Sequence, residues 1–232
     1  MGGHDPREDT HFGDRRRRLR RGRGRRVQRL LAPVDAHRLR QYPHLQLADF
    51  IEVLDFWFGT PGSAERGRPR KAWFSKSDAF DEEIRRRFLP LWQSASRGEL
   101  APWGATPLAS LALIVVLDQF PRNMFRGDAR AFSTDSRALD AAEQAVSRGF
   151  DRLPLDHERT FLYLPFEHAE DRAVQRRSLE LFAARDPENL EWARRHHEIV
   201  ERFGRFPHRN AALGRKSTPE EVEFLKRPGS SF

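Results

Sequence analysis

The 232-residue chain is predicted to fold as an all-α protein, and three observations favour that class. Apolar residues recur at helical spacing from Leu45 almost to the C-terminus. Residues that start helices precede most of these runs, and glycines follow several of them. No convincing strand pattern interrupts them. Because the links between runs are short, seven to nine antiparallel helices are expected in one domain spanning residues 45–232.

The first three runs differ in how much of their surface is apolar. Run 47–59 has one apolar face and ends at Gly59. Run 77–98 begins with Ser77 or Asp78 as N-cap and contains Pro90, which predicts a kink. Run 107–120 is apolar almost all round, which predicts a helix buried on most sides.

The later runs carry clearer start and stop signals. Run 135–149 begins with an Asp135 cap, and run 156–164 is expected to stop before Pro165. Run 166–185 reads as one amphipathic helix, and run 187–204 ends at a glycine. The last run, 217–225, has the Thr-Pro-x-Glu pattern of a capping box.

The net charge of +8 belongs to the N-terminal segment. Residues 1–44 contain 13 Arg and five Asp or Glu, whereas residues 45–232 contain equal numbers of basic and acidic residues. The segment "DRRRRLRRGRGRR" has too few apolar residues to form a core, so a disordered Arg-rich tail is predicted. Three interpretations of this segment stay open. It could be a solvated tail without a dedicated role, or it could bind nucleic acid. Alternatively, the start is misassigned and the native protein begins near Leu45.

Several function classes are disfavoured by what the sequence lacks. The chain has no cysteine, which excludes disulfides and thiolate chemistry. It has no apolar run of 18 residues and no secretory signal pattern, so no membrane association and a cytoplasmic location are expected. No glycine-rich phosphate loop and no His-Glu-x-x-His pattern occur, so neither a cofactor nor a metal is predicted.

Several long segments carry a resemblance to a known family. They include "LALIVVLDQFPRNMFRG", "FLYLPFEHAEDRAVQRRS" and "HHEIVERFGRFPHRNAALGR", and together with shorter ones they extend from roughly Phe50 to Leu225. In these segments the chain resembles a bacterial family known as domain of unknown function 924. The resemblance implies a tetratricopeptide-like fold, and it implies that His196 rather than His197 holds a recurring polar position. It implies no reaction.

Polar residues cluster where apolar runs end, and the tetrapeptide pattern Phe-Pro-(His)-Arg-Asn occurs twice. The candidate ligand-binding residues are Asp118, Gln119, Arg122, Asn123, Arg126, Glu167, Glu170, His196, Arg205, Arg209, Asn210 and Arg215. His168 and His208 are the candidate acid or base residues. Guanidinium groups match the geometry of carboxylates and phosphates, which favours an anionic ligand.

Two interpretations of these residues stay open. Each Phe-Pro turn could simply stop a helix, with the acids of "FEHAED" neutralising the arginines in a dry network. Alternatively, both turns and the acidic segment could form one pocket for an anionic small molecule or peptide. A third possibility is an enzyme using the same pocket, a hydrolase or transferase acting on a phosphate- or carboxylate-bearing substrate.

Overall fold

The structure, a computed structural model, describes residues 47–152 and 156–231, and these ranges contain helices but no strand. The α-helical segments are α1 Leu47–Phe58, α2 Asp78–Ser96, α3 Pro107–Ile114, α4 Phe120–Met124, α5 Asp135–Ser147, α6 Asp156–His168, α7 Arg172–Arg185, α8 Leu190–Phe203 and α9 Pro219–Leu225. A π-helical turn, Val115–Gln119, joins α3 to α4 into one continuous helix. The predicted all-α, tetratricopeptide-like array of seven to nine helices is thereby confirmed.

The continuous helix from Pro107 to Met124 lies at the centre of the core. Every residue from Ala109 to Pro121 is buried. Helices α1, α5 and α6 pack against α3, while α2 packs against α4 and the π turn. The apolar composition of this run therefore predicted its position correctly, and Asp118 is enclosed on all sides.

The first Phe-Pro pair does not stop its helix, contrary to the interpretation of each Phe-Pro turn as a helix stop. Phe120 keeps helical backbone angles, φ −60° and ψ −44°, and its N–H donates to Val115 O in the π turn. The wider turn relieves the clash that the Pro121 ring would cause with the carbonyl of Leu117. That carbonyl instead accepts a hydrogen bond from Thr134 Oγ1 at 2.5 Å.

Pro165 does not end its helix either, because α6 continues to His168. Phe161, Leu162 and Phe166 on this helix are buried in the core. Their burial, worth about 1.5–3 kcal/mol for each side chain, offsets the cost of about 3 kcal/mol for an internal proline.

The segment "FEHAED" is therefore a helix end followed by a helix start, and the prediction of one helix over residues 166–185 is wrong. Gln175 Nε2 donates to the carbonyls of Glu167 and Ala169 at 2.6 and 2.8 Å and so caps the end of α6. Asp171 then caps α7, because its side chain accepts hydrogen bonds from the N–H groups of Ala173 and Val174. Because of this break, Glu167 and Glu170 do not share a helical face.

The C-terminal segment after α8 folds back as a strap with its own small apolar cluster. Helix α8 ends at Gly204 in the left-handed conformation, φ +71°. Phe206 is extended, and Pro207–Arg209 forms a short 3₁₀ turn, so the second Phe-Pro pair lies outside a helix as predicted. Phe206 packs with Ile199 and Val200 of α8. The predicted capping box of Thr218 and Glu221 is present at the start of α9.

Two further predictions concern the N-terminal segment and membrane association. The Arg-rich segment 1–44 lies outside the described residues, so its disorder and the position of the native start stay predictions. Among the described helices, none is long and apolar enough to cross a membrane.

Replacement of Thr134 by Val tests the role of the Thr134 hydroxyl at the proline. This hydroxyl donates to Leu117 O and accepts from Trp92 Nε1 at 3.3 Å. The Thr134→Val variant leaves both buried groups without a partner and is expected to lose about 1–3 kcal/mol in the free energy of unfolding. Urea denaturation measures this loss. Thr134→Ser keeps the hydroxyl and should lose about 1 kcal/mol or less; equal losses in both variants would contradict the assignment.

Candidate functional site

Asp118 forms the base of the candidate site. Its side chain has no exposed surface. Oδ2 accepts a hydrogen bond from Gln119 Nε2 at 2.6 Å, and Oδ1 lies 3.2 Å from Arg122 Nη1. Burial by itself raises the pKa of Asp118, but the neighbouring Arg122 and His168 outweigh it and bring the pKa below its usual value. Asp118 is therefore an ionised carboxylate inside the core.

His168 lies at the end of α6 with one ring nitrogen on this carboxylate. Its Nδ1 is 2.8 Å from Asp118 Oδ1. Since an ionised carboxylate can only accept, Nδ1 carries the proton. Burial, reinforced by the charge of Arg122, lowers the pKa of His168. At neutral pH the ring is neutral, and Nε2, which has no partner among the described residues, presents a lone pair.

Two arginines converge on a second carboxylate, that of Asp135 in the first turn of α5. Arg122 Nη1 and Nη2 donate to the two oxygens of Asp135 at 2.8 and 3.0 Å. Arg209 Nη1, from the strap, donates to Oδ2 at 3.1 Å. Asp135 thereby joins α4 and the strap to α5.

Arg209 is held as a rigid cation between two aromatic rings. Its guanidinium carbon lies 4.7 Å from the ring centre of Phe132 and 4.5 Å from that of Phe206. Burial, reinforced by Arg122, lowers the pKa of Arg209 to about 10, so the side chain stays charged at neutral pH. Its Nε is buried and has no hydrogen-bond partner in the described structure. A charged donor without an acceptor is costly, and an oxygen of a bound ligand would relieve that cost.

Two further histidines lie beside this centre. The ring of His196 lies 6.0 Å from that of His168, and the ring of His208 lies 5.7 Å from that of Phe206. Burial, reinforced by neighbouring positive charge, lowers the pKa of His196 to about 3 and that of His208 to about 4. His196 Nδ1 lies 2.8 Å from Trp192 O, and the His196 side chain is buried.

Glu167 is buried next to the site but pairs with no arginine in the described part of the chain. Its Oε1 has no hydrogen-bond partner in the described structure. Burial raises the pKa of Glu167 well above its usual value, and the charges of Asp118 and Asp186 raise it further. Glu167 is therefore a buried carboxyl group that resists ionisation.

The comparisons with known proteins can be set against this geometry. The model of the family described as "Bacterial protein of unknown function (DUF924)" matches residues 53–229. The chain belongs to this family. A solved structure of a protein of unknown function from Agrobacterium tumefaciens is 42% identical, with a TM-score of 0.69, over 77% of this chain and 97% of that one. The comparison with curated proteins gives no match.

Family membership supplies a fold and no activity, so the remaining candidate residues are judged by their contacts. Arg126, just after α4, donates to Asp81 of α2 and to Asn123 Oδ1. Asn123 Nδ2 in turn donates to Gln119 O at 3.0 Å. Asn123 and Arg126 thus join α4 to α2. Of Gln119, Asn123 and Arg126, only Gln119 has a hydrogen bond to Asp118 in the described structure.

The other strap residues belong to carboxylate pairs. Arg215 donates to both oxygens of Glu170 at 2.6 and 2.9 Å. Arg205 donates to both oxygens of Glu221 at 2.6 and 2.8 Å, and Asn210 Nδ2 lies 3.3 Å from Glu221. The hydrogen bond from Arg205 is the main reason that the pKa of Glu221 falls to about 2. These pairs fasten the strap and leave Arg209 as its arginine at the centre.

Sequence reasoning missed three of the acids that partner these arginines: Asp81, Asp135 and Glu221. Asp135 was interpreted as a helix cap, but Thr134 holds the N-cap position and Asp135 binds Arg122 and Arg209. Glu221 was interpreted only as the acid of the capping box, and Asp81 was not singled out. An acid in a first helical turn is a weak signal, because the helix dipole alone favours it there.

The arrangement combines an acceptor, Nε2 of His168, with the guanidinium donors of Arg122 and Arg209. It can bind an oxyanion, or take up a proton from a bound molecule. Among the described residues, no group of three or more His, Cys, Asp or Glu side chains could hold a metal ion.

Replacement of Glu167 by Gln tests the state of this buried carboxyl. Because its pKa is raised in the folded protein, Glu167 destabilises the fold as pH rises above its unfolded pKa of about 4.3. Glu167→Gln should therefore be more stable than the wild type near pH 7, and the difference should shrink as pH falls towards 5. Its slope is at most about 1.4 kcal/mol per pH unit. Urea denaturation between pH 5 and 8 measures the difference, and Glu143→Gln, on the exposed side of α5, is the control. A difference that is independent of pH would contradict the prediction.

Proposed function

We propose that this protein binds an anionic small molecule or peptide at the site formed by Asp118, Arg122, His168 and Arg209. The observation that carries the proposal is the position of His168, whose Nδ1 is held by a fully buried carboxylate while Nε2 has no partner among the residues that the structure describes. A carboxylate that fixes one nitrogen orients the other towards a ligand. The neighbouring arginines indicate which chemical groups the ligand carries.

The guanidinium groups support a ligand with carboxylate or phosphate oxygens. Arg209 uses Nη1 on Asp135 and has a buried Nε with no partner in the described structure. Its aromatic neighbours, Phe132 and Phe206, fix the plane of the fork, which lowers the entropic cost of binding. Forked donors match planar or tetrahedral oxyanions better than a single ammonium does.

The charges of the site favour recognition by hydrogen bonds over recognition by net charge. Asp118 and Asp135 offset the charges of Arg122 and Arg209, and His168 is neutral at neutral pH. An incoming anion would stabilise the protonated form of His168 and raise its pKa. Binding should therefore be coupled to proton uptake and should strengthen as pH falls.

A second candidate function, an enzyme acting on a phosphate- or carboxylate-bearing substrate, is favoured by the same histidine. A neutral imidazole oriented by a carboxylate can act as a general base through Nε2. His168 would then accept a proton from the attacking water or hydroxyl group, and Arg122 and Arg209 would stabilise the negative charge that develops on the substrate. His208, whose pKa is lowered to about 4, would be neutral and is the less suitable acid.

Nucleic-acid binding through residues 1–44 is a separate proposal, supported only by the 13 arginines of that segment. Phosphate contacts by arginine tails are sequence-independent and weaken with salt.

The binding proposal is tested by titrating the chain with inorganic phosphate and with succinate. The His168 ring resonances, followed by NMR, should shift saturably with at least one of the two anions, and the pKa of His168 should rise. Arg209→Gln should weaken this binding about tenfold or more, because a charge-assisted fork is lost.

Arg176→Gln is the matched control, since Arg176 is exposed on α7 and has no ion pair in the described structure. It should bind like the wild type. Equal weakening in both variants, or no saturable shift below roughly 10 mM, would sink the proposal. Arg209→Lys keeps the charge without the fork and should resemble Arg209→Gln.

The enzymatic proposal is tested with p-nitrophenyl phosphate and p-nitrophenyl acetate as probes. If His168 is the base, His168→Gln should lower the rate about 100-fold or more, and the wild-type rate should fall as pH drops through the pKa of His168. His157→Gln, at the other end of α6 beside Trp73, should keep the wild-type rate. Hydrolysis that survives in His168→Gln, or a rate no higher than in buffer, would contradict catalysis on these ester classes.

A further inference from the structure

A solvent-open cavity of about 510 Å³ lies at the surface between the end of α5 and the C-terminal half of α7. No candidate residue of the His168 site lines it. Helix α5 and the residues after it contribute Arg148, Gly149, Asp151 and Arg152 to the wall, and α7 contributes several residues up to Arg185. The volume falls within the range of about 300–1,000 Å³ that is typical of small-molecule sites.

The lining of this cavity carries an excess of positive charge. It contains the four arginines Arg148, Arg152, Arg177 and Arg185 and the two acids Asp151 and Glu180. Arg177 pairs with Glu180 at 2.7 Å, and Arg185 Nε pairs with Asp151 at 3.1 Å. Neither Arg148 nor Arg152 has a carboxylate partner among the described residues, so two positive charges are not neutralised.

Several guanidinium nitrogens in this lining have no hydrogen-bond partner among the described residues. Arg148 uses Nη1 on the carbonyl of Gly104 at 2.6 Å. The guanidinium of Arg152 lies next to Gly149. A Cβ atom placed on Gly149 would be 3.7 Å from Arg152 Nε. Arg185 Nε pairs with Asp151, which is buried and accepts a hydrogen bond from the Tyr163 hydroxyl at 2.8 Å. Nη1 and Nη2 of Arg185 have no partner among the described residues.

Hydrogen bonding to the last carbonyls of the helices does not account for these arginines. The last carbonyls of α5 are satisfied by the backbone, since Gly149 N–H donates to Val146 O and Phe150 N–H donates to Ala145 O, both at 2.9 Å. Gly149 has φ +70°, the left-handed conformation that this helix ending requires. At the end of α7, the carbonyl of Arg185 accepts a hydrogen bond from Arg159. The charges of Arg148 and Arg152 are therefore available for another partner.

We propose that this cavity is a second binding site, which takes a small molecule bearing a diphosphate group. Two unneutralised guanidinium groups match the charge of a diphosphate, and their forked donors match its oxygens. Arg185, fixed by Asp151, supplies further donors from the opposite wall. The proposal is independent of the function proposed for the His168 site.

The test uses the full chain and pyrophosphate as the probe, with calorimetry and amide NMR as readouts. Pyrophosphate should shift the amide signals of Gly149 and Leu181 saturably. The double variant Arg148→Gln with Arg152→Gln should weaken this binding about tenfold or more. The control pair, Arg68→Gln with Arg176→Gln, removes two exposed arginines outside the cavity that have no ion pair among the described residues, and should leave the binding unchanged.

Three outcomes would overturn the proposal. The first is equal weakening in the cavity and control pairs, which would indicate non-specific attraction by the arginine-rich chain. The second is the absence of a saturable shift at Gly149 and Leu181. The third is loss of those shifts in Arg209→Gln, which would assign the binding to the His168 site instead.

Discussion

The ionised carboxylate of Asp118 inside the core is the constraint on which the rest of the site depends. Arg122 and His168 meet this carboxylate directly, and Arg122 continues to Asp135, which also binds Arg209. Four parts of the chain are thereby joined: the central helix, α6, α5 and the strap. Removing one partner of such a buried pair costs about 3–5 kcal/mol, because the other charge is left without compensation. The contacts around Asp118 therefore serve both stability and the geometry of the site.

Irregular helix geometry places these groups. The π turn Val115–Gln119 contains Asp118 and accommodates Pro121 without ending the helix. The end of α6 at His168 is capped by Gln175, which sets where the imidazole leaves the helix. Such departures from α-helical geometry are frequent at functional sites, since they re-aim side chains that a regular helix would bury elsewhere.

The arginines of the chain fall into two groups that composition cannot separate. Arg126, Arg205 and Arg215 are each bound to both oxygens of one carboxylate, and they hold elements together. Arg209, and Arg152 in the cavity between α5 and α7, have N–H donors with no acceptor among the described residues. Carboxylate pairs fasten the strap, whereas Arg209 Nε has no hydrogen-bond partner in the described structure. The closed network and the ligand pocket both stay predictions.

The sequence by itself determined the all-α class, the buried central helix and the capping box, because periodicity, caps and composition act over a few residues. It also marked His168, Asp118, Arg122 and Arg209 as residues of interest. Only the tertiary structure decided that the helices containing Pro121 and Pro165 continue, since a π turn accommodates Pro121 and burial of neighbouring side chains offsets the cost of Pro165. It alone paired Arg126, Arg205, Arg209 and Arg215 with carboxylates from distant elements, such as Asp135 with Arg209. A pair distance depends on how helices pack, and no spacing along the chain encodes it.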